Sequence, residues 1–358
     1  MYFDADTHVD ENDETWSYLP KKLQYLAPKT VEFNGEAPPW LTPDYTPIGD
    51  RPLELFSRPQ GSAFHRFWYL DGQLYPRRVR SDEVTGTTRP TRELDDVAAR
   101  VADMDRMGVD VQVIYPTLFL DEVSRRLDVE VALYRSYNRW VADRCSDSAG
   151  RLRFVAMIPY SSPPEALKEI KWAKEHGAAG LWKRTIENDN KAASDPFFFP
   201  AYKLAEDLGM PLCIHVSSPW RPVVSFLAAI RAADSTGFPV LSAFASMLDQ
   251  KVWARFPDLK VGFVEAGSEW LPHLLHRNKA RATLKEMRFF VTCEWDEDLP
   301  YLISQVGGAD NFIVGTDYCH GDRSSVIDMH PKIEARGDLD ERTVVKLTSH
   351  NARNFYDL

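Results

Sequence analysis

The chain has 358 residues, 44% hydrophobic and 27% charged, so it can bury a large core and is long for one small domain. Its net charge of −10 argues against a nucleic acid or an anionic membrane as partner. The four scattered cysteines form no C-x-x-C pair, and there is neither a signal sequence nor an apolar run of about 20 residues, which favours a cytoplasmic protein with reduced thiols.

The first predicted strand, residues 3–9, carries the first candidate site. Because side chains alternate along a strand, Asp6 and His8 point to the same face. A carboxylate and an imidazole aimed at one point suit a divalent metal. The motif alone is weak, since a hydrogen-bonded polar pair has the same spacing.

Residues 12–92 form a long segment of little periodicity. It holds ten of the 24 prolines and many aromatic residues, which argue against disorder. A connection of this length inside a domain is usually functional or an oligomer arm. We therefore predict an insertion at 12–92 within a single domain spanning 1–358.

From residue 93 onward strands and helices alternate. Seven further strands are predicted at residues 111–115, 152–159, 180–184, 211–216, 260–265, 288–293 and 311–317. Helices are predicted at 93–110, 130–145, 164–176, 200–209, 223–256 with a break at 237–239, 270–284, 299–306 and 341–356. Eight such units predict a (β/α)8 TIM-type barrel. A doubly wound open sheet is the alternative, although no strand is followed by a Gly-x-Gly-x-x-Gly motif.

Four of the predicted strands end in ionisable residues. These are Asp6 and His8 on the first strand, His215 on the fifth, Glu265 on the sixth, and Asp317, followed by His320, on the eighth. The active site of a barrel lies at the carboxyl ends of its strands, so these residues predict one metal site. Each also has an ordinary explanation: a core histidine, a helix cap, an ion pair or a surface residue. Glu11 lies just beyond the first strand and is a further candidate ligand.

Four stretches together resemble a known family. They are residues 3–8 (Phe-Asp-Ala-Asp-Thr-His), 214–215 (Ile-His), 263–272 (Phe-Val-Glu-Ala-Gly-Ser-Glu-Trp-Leu-Pro) and 314–320 (Val-Gly-Thr-Asp-Tyr-Cys-His). The chain resembles the amidohydrolase superfamily, and most of all its branch of aminocarboxymuconate-semialdehyde-decarboxylase-like proteins. The resemblance implies a metal-dependent, distorted barrel. It also implies that Asp6, His8, His215 and Asp317 hold the metal.

Two positions differ from that family. The first strand has Asp-x-His where many relatives have His-x-His, and Glu265 stands where the decarboxylases often have histidine. The extra carboxylate changes the charge of the site and adds a donor for a second metal. Oxygen and nitrogen donors of this kind suit zinc, manganese or iron, with one or two ions per chain.

The leading hypothesis is metal-assisted hydrolysis, or C–C bond cleavage by decarboxylation, of a small carboxylate- or amide-containing substrate. Glu265 or Asp317 would carry the proton, with His320 beside them. A second hypothesis is a dinuclear iron or iron–manganese oxygenase, as in some members of the superfamily. A third is a non-catalytic subunit, in a homo-oligomer or beside a related chain, with the insertion as its interface. Metal content separates the first two hypotheses, because two equivalents of iron or manganese favour oxygenation.

The remaining candidates are weaker. Four arginines are possible carboxylate binders, namely Arg51, Arg58, Arg66 and Arg221. Trp68 and Trp220 are possible pocket walls, although tryptophan is more often a core residue. No role is assigned to His65, His176, His273, His276, His330 or His350.

Overall fold

A computed structural model describes residues 1–34, 64–77, 80–187, 190–217, 237–278, 282–321 and 325–358. Eight parallel strands form one sheet whose spatial order follows the chain. The strands are β1 (Phe3–Val9), β2 (Val111–Pro116), β3 (Leu152–Ala156), β4 (Gly180–Lys183), β5 (Leu212–His215), β6 (Val261–Val264), β7 (Phe289–Thr292) and β8 (Phe312–Ile313). The predicted (β/α)8 barrel is confirmed.

Backbone hydrogen bonds close the sheet between its first and last strands. Ala5 N donates to Val314 O at 3.0 Å, and Asp317 N donates to Asp6 O at 2.9 Å. Gly315 makes this approach possible, because a Cβ there would lie 2.4 Å from the Cβ of Asp6. The closure therefore brings the carboxyl end of β8 directly against the Asp6 and His8 end of β1.

Helices follow the strands around the barrel. The main ones are α1 (Val97–Met107), α2 (Leu127–Ser146), α3 (Pro163–Glu175), α4 (Phe199–Asp207), α5 (Phe238–Asp249), α6 (Leu271–Arg277), α7 (Leu299–Val306) and α8, which joins Glu341–Val345, a π-helical turn at Lys346–His350, and Asn351–Tyr356. Short helices lie at Asp13–Tyr18, Lys21–Leu26, Asp82–Thr85, Arg89–Arg92, Leu118–Leu120, Pro196–Phe198, Val252–Arg255, Leu284–Met287 and Met329–Glu334. A two-stranded hairpin pairs Ile186–Glu187 with Lys191–Ala192.

The helix predicted at 93–110 is shorter in the structure. Leu94 adopts a left-handed backbone with φ of 52°, and helix α1 begins only after the side chain of Asp96 caps the amide of Ala99. At the other end Gly108, with φ of 70°, terminates it. The helix predicted at 270–284 likewise ends at Arg277. The first part of the helix predicted at 223–256, residues 223–236, lies outside the described ranges.

The insertion contains regular structure that its sequence pattern did not predict. Strands Lys29–Asn34, Phe64–Leu70 and Gln73–Pro76 form an antiparallel sheet. Trp68 of this sheet packs edge-on against Trp16, with ring centroids 5.8 Å apart. The extent of the insertion, 12–92, stays a prediction.

Among the described helices, none has the length and apolar character that crossing a bilayer requires.

Candidate metal centre

The first group of metal-type donors joins β1, β5 and the residue after β6. His215 Nε2 lies 3.3 Å from Asp6 Oδ1 and 3.4 Å from Glu265 Oε2. His8 Nε2 lies 3.5 Å from the same Asp6 oxygen. Each of the four residues offers one atom, and these atoms all lie within 4.8 Å of one another. Residues far apart along the chain thus present nitrogen and carboxylate donors to one point.

A second group shares His8 and draws in the end of β8. His8 Nε2 lies 3.4 Å from Asp317 Oδ1, and His320 Nδ1 lies 2.8 Å from that same oxygen. The imidazole of His320 also stacks on that of His8, with centroids 3.8 Å apart. Its other nitrogen, Nε2, lies 3.1 Å from Thr117 Oγ1. His8 is therefore the residue common to both groups.

Backbone carbonyls fix the orientation of two imidazoles. His8 Nδ1 lies 3.0 Å from Pro116 O, and His215 Nδ1 lies 2.6 Å from Val216 O. A carbonyl oxygen can only accept, so each Nδ1 carries a hydrogen and each Nε2 faces the carboxylates, where His215 Nε2 lies within hydrogen-bond distance of Asp6 Oδ1 at 3.3 Å. His8 consequently offers one ligating nitrogen, not two, to the two groups.

The floor of the site is aromatic and buried. The rings of Tyr115 and Trp182 lie 4.8 and 5.1 Å from the imidazole of His215. Tyr115, Trp182, His8 and His215 are all buried. Charges that meet above such a floor interact more strongly than they do in water.

The carboxylates of the site raise the pKa of His215. Burial alone lowers the pKa of this imidazole, but the Asp6 carboxylate, through its charge and a hydrogen bond, and the Glu265 carboxylate raise it to about 9. Without a cation a proton balances the carboxylates. A divalent ion that coordinates Nε2 has to displace this proton.

Two of the carboxylates sit on strained backbone. Glu265 has φ of 63° and Asp317 has φ of 51°, both in the left-handed region that residues with a Cβ seldom adopt. The amide of Glu265 donates to Thr292 Oγ1 on β7 at 2.7 Å, which helps to hold this conformation. Strained residues of this kind cluster at functional sites, where surrounding contacts over-determine them.

A buried network beneath the site supports the ends of β1 and β8. Both Asp4 oxygens accept hydrogen bonds from Thr316, from its amide at 2.8 Å and from its hydroxyl at 2.6 Å. Gln112 Nε2 reaches Asp4 at 3.2 Å, and its amide oxygen accepts from Arg100 Nε at 2.8 Å. Arg100 also donates to the carbonyl of His8 at 3.2 Å.

This network was not predicted, although part of it had a signal. Asp4 shares the alternation of Asp6 and His8, so period two places it on the same face of β1. Arg100 lies on a helix, and nothing local indicates its contact with β1.

The structure places Glu11 outside both donor groups. Its oxygens accept the backbone amides of Thr117 and Leu118 at 3.0 and 2.8 Å. Burial raises the pKa of Glu11 to about 8. Glu11 thus holds the segment after β2, next to the Thr117 that contacts His320.

The weaker candidates lie away from the donors or outside the described residues. Arg66 is buried and pairs with Glu93 at 3.4 Å. Trp68 packs in the insertion, where Arg77 lies over its ring at 4.1 Å. The side chains of Arg51, Arg58, His65, Trp220 and Arg221 lie outside the described part of the chain.

The donor set fits a divalent cation such as zinc, manganese or iron. It combines imidazole nitrogens with carboxylate oxygens and offers no thiolate, because burial raises the pKa of Cys319 to about 12. A small cleft of about 20 Å³, room for about one water molecule, is lined by Asp6, Glu265 and Asp317 together with Glu294 and Met329.

Comparison with known proteins gives the family. The model of the amidohydrolase family matches residues 36–358, and the chain belongs to this family. A 2-amino-3-carboxymuconate-6-semialdehyde decarboxylase from Dictyostelium discoideum is 25% identical over 253 residues, which cover 63% of this chain and 68% of that protein.

Solved structures share the fold. An amidohydrolase from Mycobacterium avium subsp. paratuberculosis has a TM-score of 0.73 at 17% identity, over 100% of this chain and 98% of its own. A 5-carboxyvanillate decarboxylase from Novosphingobium aromaticivorans, in complex with manganese, has a TM-score of 0.61 at 20% identity, over 74% and 81%. A dihydroxybenzoic acid decarboxylase from Polaromonas, with bound manganese, has a TM-score of 0.62 at 19% identity, over 75% and 88%.

Proposed function

We propose that this chain is a metal-dependent decarboxylase of a small carboxylate-bearing substrate. The observation that carries the proposal is the convergence of donors from β1, β5 and the residue after β6 on one point, with a second group beyond β8 that shares His8. The named relatives include decarboxylases of three substrates, and two of them were solved with manganese. Together these observations favour manganese or a similar ion. The ligands we propose for it are the four that the family resemblance implies, Asp6, His8, His215 and Asp317.

The chain's own residues orient the substrate and control the proton that the reaction transfers. When bound, a divalent cation would supply a positive charge that polarises the substrate's oxygen atoms. The buried aromatic floor excludes water from the reacting carbon. The backbone carbonyls of Pro116 and Val216 keep the two imidazoles turned toward the site.

Glu265 is the proposed proton carrier. Its side chain is 11% exposed and meets the cleft, whereas Asp6 and both imidazoles are almost fully buried. In decarboxylation the C–C bond to the carboxylate breaks and the carboxylate leaves as carbon dioxide. The electron pair of that bond stays on the remaining carbon, which then takes up a proton. Protonated Glu265 can deliver that proton from Oε2, while Asp317 and His320 stay paired.

Hydrolysis of a C–N bond is the second candidate. The presence of a carboxylate at Glu265 favours it, because an ionised carboxylate beside His215 can accept a proton from an attacking water. The dinuclear oxygenase gains no support from the named relatives. His8 offers a single nitrogen to both donor groups, which also argues for one ion.

The cellular setting and the assembly are part of the same proposal. The four cysteines are free and buried, in keeping with a reducing, cytoplasmic compartment. The insertion is the proposed interface of a homo-oligomer or of a pair with a related subunit. Size-exclusion chromatography with light scattering of the lone chain tests this assembly.

Metal content and a substrate panel test the function. The metal-loaded protein is assayed with aromatic carboxylates for carbon dioxide release, and with amides of the same acids for hydrolysis. One equivalent of metal per chain and metal-dependent carbon dioxide release are expected. Two equivalents of iron with oxygen consumption would overturn the proposal in favour of oxygenation, and amide hydrolysis alone would favour the second candidate.

A further inference from the structure

The face of the barrel opposite the metal centre carries a large polar cavity. Its volume is about 780 Å³, and it is lined by residues that precede β6, β7 and β8 and by helix α8. These are the amino ends of the strands, whereas the metal donors stand at the carboxyl ends. The cavity therefore has no part in the proposed reaction.

The lining carries an excess of positive charge. Five cationic side chains line the cavity, namely Lys260, Lys285, Arg288, Arg342 and Lys346. Three carboxylates accompany them, so the lining has a net charge of +2 in a chain whose net charge is −10. A local excess of this sign attracts anions even in an acidic protein.

The carboxylates leave part of this charge without an ion pair. Asp310 is shared by Lys285, at 3.0 Å, and Lys346. Asp258 pairs with Arg288 at 2.9 Å. Across the described ranges Arg342 forms no ion pair, and it projects from α8 into the lining.

Two features show that Lys260 is held against the protein. Lys260 is half-buried and donates to the carbonyl of Asn354. Its pKa is lowered, chiefly by burial, and the charge of Arg288 lowers it further against the pull of Asp357. An anion that binds beside Lys260 would stabilise the charged form of this side chain.

Helix α8 is irregular where it lines the cavity. Its π-helical turn at Lys346–His350 places both end residues in the lining. Turns of this kind are rare in helices and occur often at functional sites. The turn is thus a second, independent feature of the same cavity.

We propose that this cavity binds a small phosphate-bearing anion. Phosphate accepts several charge-assisted hydrogen bonds at once, and lysine and arginine side chains are its usual partners. Arg342 and Lys260 supply the charge. Lys346 and Arg288 can donate further hydrogen bonds to the anion without breaking their ion pairs with Asp310 and Asp258. The anion site is separate from the metal centre, so an experiment can refute one of the two proposals and leave the other standing.

Thermal unfolding of the metal-loaded chain tests the site, with inorganic phosphate as the probe. Sodium chloride and sodium acetate at equal ionic strength are the reference anions. We expect phosphate to raise Tm by about 2 °C or more in a saturable way. Arg342→Gln and Lys260→Gln should each weaken the apparent Kd for phosphate by roughly tenfold.

Arg353→Gln is the matched control. It removes the same charge from the same helix, but Arg353 does not line the cavity and bonds to Leu358 O instead. This control should keep the phosphate response. An equal rise in Tm with acetate, a rise that does not saturate, or the same response in Arg342→Gln and Arg353→Gln would overturn the proposal.

Discussion

Asp6 is the residue on which the donor geometry depends most. One of its oxygens lies 3.5 Å from His8 Nε2 and 3.3 Å from His215 Nε2, so it joins β1 to β5. The carboxylate also raises the pKa of His215, whose burial opposes that shift. The Asp6 carboxylate thus affects both the distances between the donor atoms and the charge of the site.

Asp6→Asn should remove the metal without unfolding the barrel. The amide keeps the shape of the side chain but loses the charge that balances a cation, so metal affinity should fall at least about 100-fold. Metal analysis after dialysis measures this loss. Asp13→Asn, at an exposed residue of the insertion, is the control and should retain full metal content. An Asp6→Asn protein with unchanged metal would contradict the assignment.

Glu265→Gln separates a proton carrier from a ligand. If Glu265 carries the proton, the variant keeps its metal and loses about 100- to 10,000-fold in kcat. Steady-state kinetics and metal analysis of one preparation measure both quantities. Loss of the metal would instead make Glu265 a ligand, and an unchanged kcat would remove it from the mechanism.

His330 gives the fold an acid-sensitive residue away from the donors. It is buried, its Nε2 donates to Phe3 O at 3.1 Å, and burial lowers its pKa from 6.5 to about 4. Between these values the unfolded chain binds the proton and the folded chain does not, so stability falls as the pH falls.

The free energy of unfolding should therefore drop by about 2 kcal/mol at this residue between pH 7 and pH 5. Urea unfolding at both pH values measures the drop. His330→Gln, which keeps a donor for Phe3 O, should lose less stability over this interval than the wild type. His176→Gln, at an exposed histidine, should behave as the wild type does, and an unchanged slope in His330→Gln would refute the prediction.

At the scale of elements, the site depends on how closely β8 approaches β1. Gly315 allows this contact, since any Cβ there would overlap the backbone and Cβ of Asp6. Asp4 adds two hydrogen bonds to Thr316 across the same junction. The two strands are held together at the level where both carry donors.

Gly315→Ala should destabilise the fold by about 1–3 kcal/mol, because the methyl group forces the strands apart. It should also weaken metal binding, since Asp6 and Asp317 move with their strands. Chemical unfolding and metal titration measure the two effects. Gly337→Ala is the control, because a Cβ there meets nothing within 4 Å. Equal stability of the two variants would contradict this explanation of the junction.

The barrel can be predicted because the patterns that indicate its strands and helices lie in short stretches of the sequence. Alternating strands and helices define the fold, and an ionisable residue at the end of a strand can be read from the strand itself, as with His215 and Glu265. The antiparallel sheet of the insertion escapes prediction because Lys29–Asn34 and Phe64–Leu70 pair across a long intervening segment. Helix ends escape for a different reason, since the left-handed turn at Leu94 depends on tertiary contacts.

At the scale of the whole molecule, the two faces of the barrel have opposite electrostatics. The carboxyl ends of the strands gather Asp6, Glu265 and Asp317 around three imidazoles, and the amino ends carry the cationic cavity. A chain of net charge −10 thus concentrates unlike charges at separate sites. The first face suits a cation and the second an anion.

Removal of the metal should lower the thermal stability of the entire barrel. A ligand that binds only the folded state stabilises it by about 2.7 kcal/mol at 100 times its Kd, so chelation should lower Tm by several degrees. Calorimetry with and without a chelator measures the shift, and added manganese should restore it. An identical Tm in both states would show that no ion binds tightly to the folded chain.

The most direct test is an anomalous-scattering map of crystals of the metal-loaded protein. We predict one peak at the mouth of the barrel, about 2.0–2.2 Å from donor atoms of Asp6, His8, His215 and Asp317. A peak held by other residues, or no peak while the purified protein carries a full equivalent of metal, would contradict the assignment of this centre.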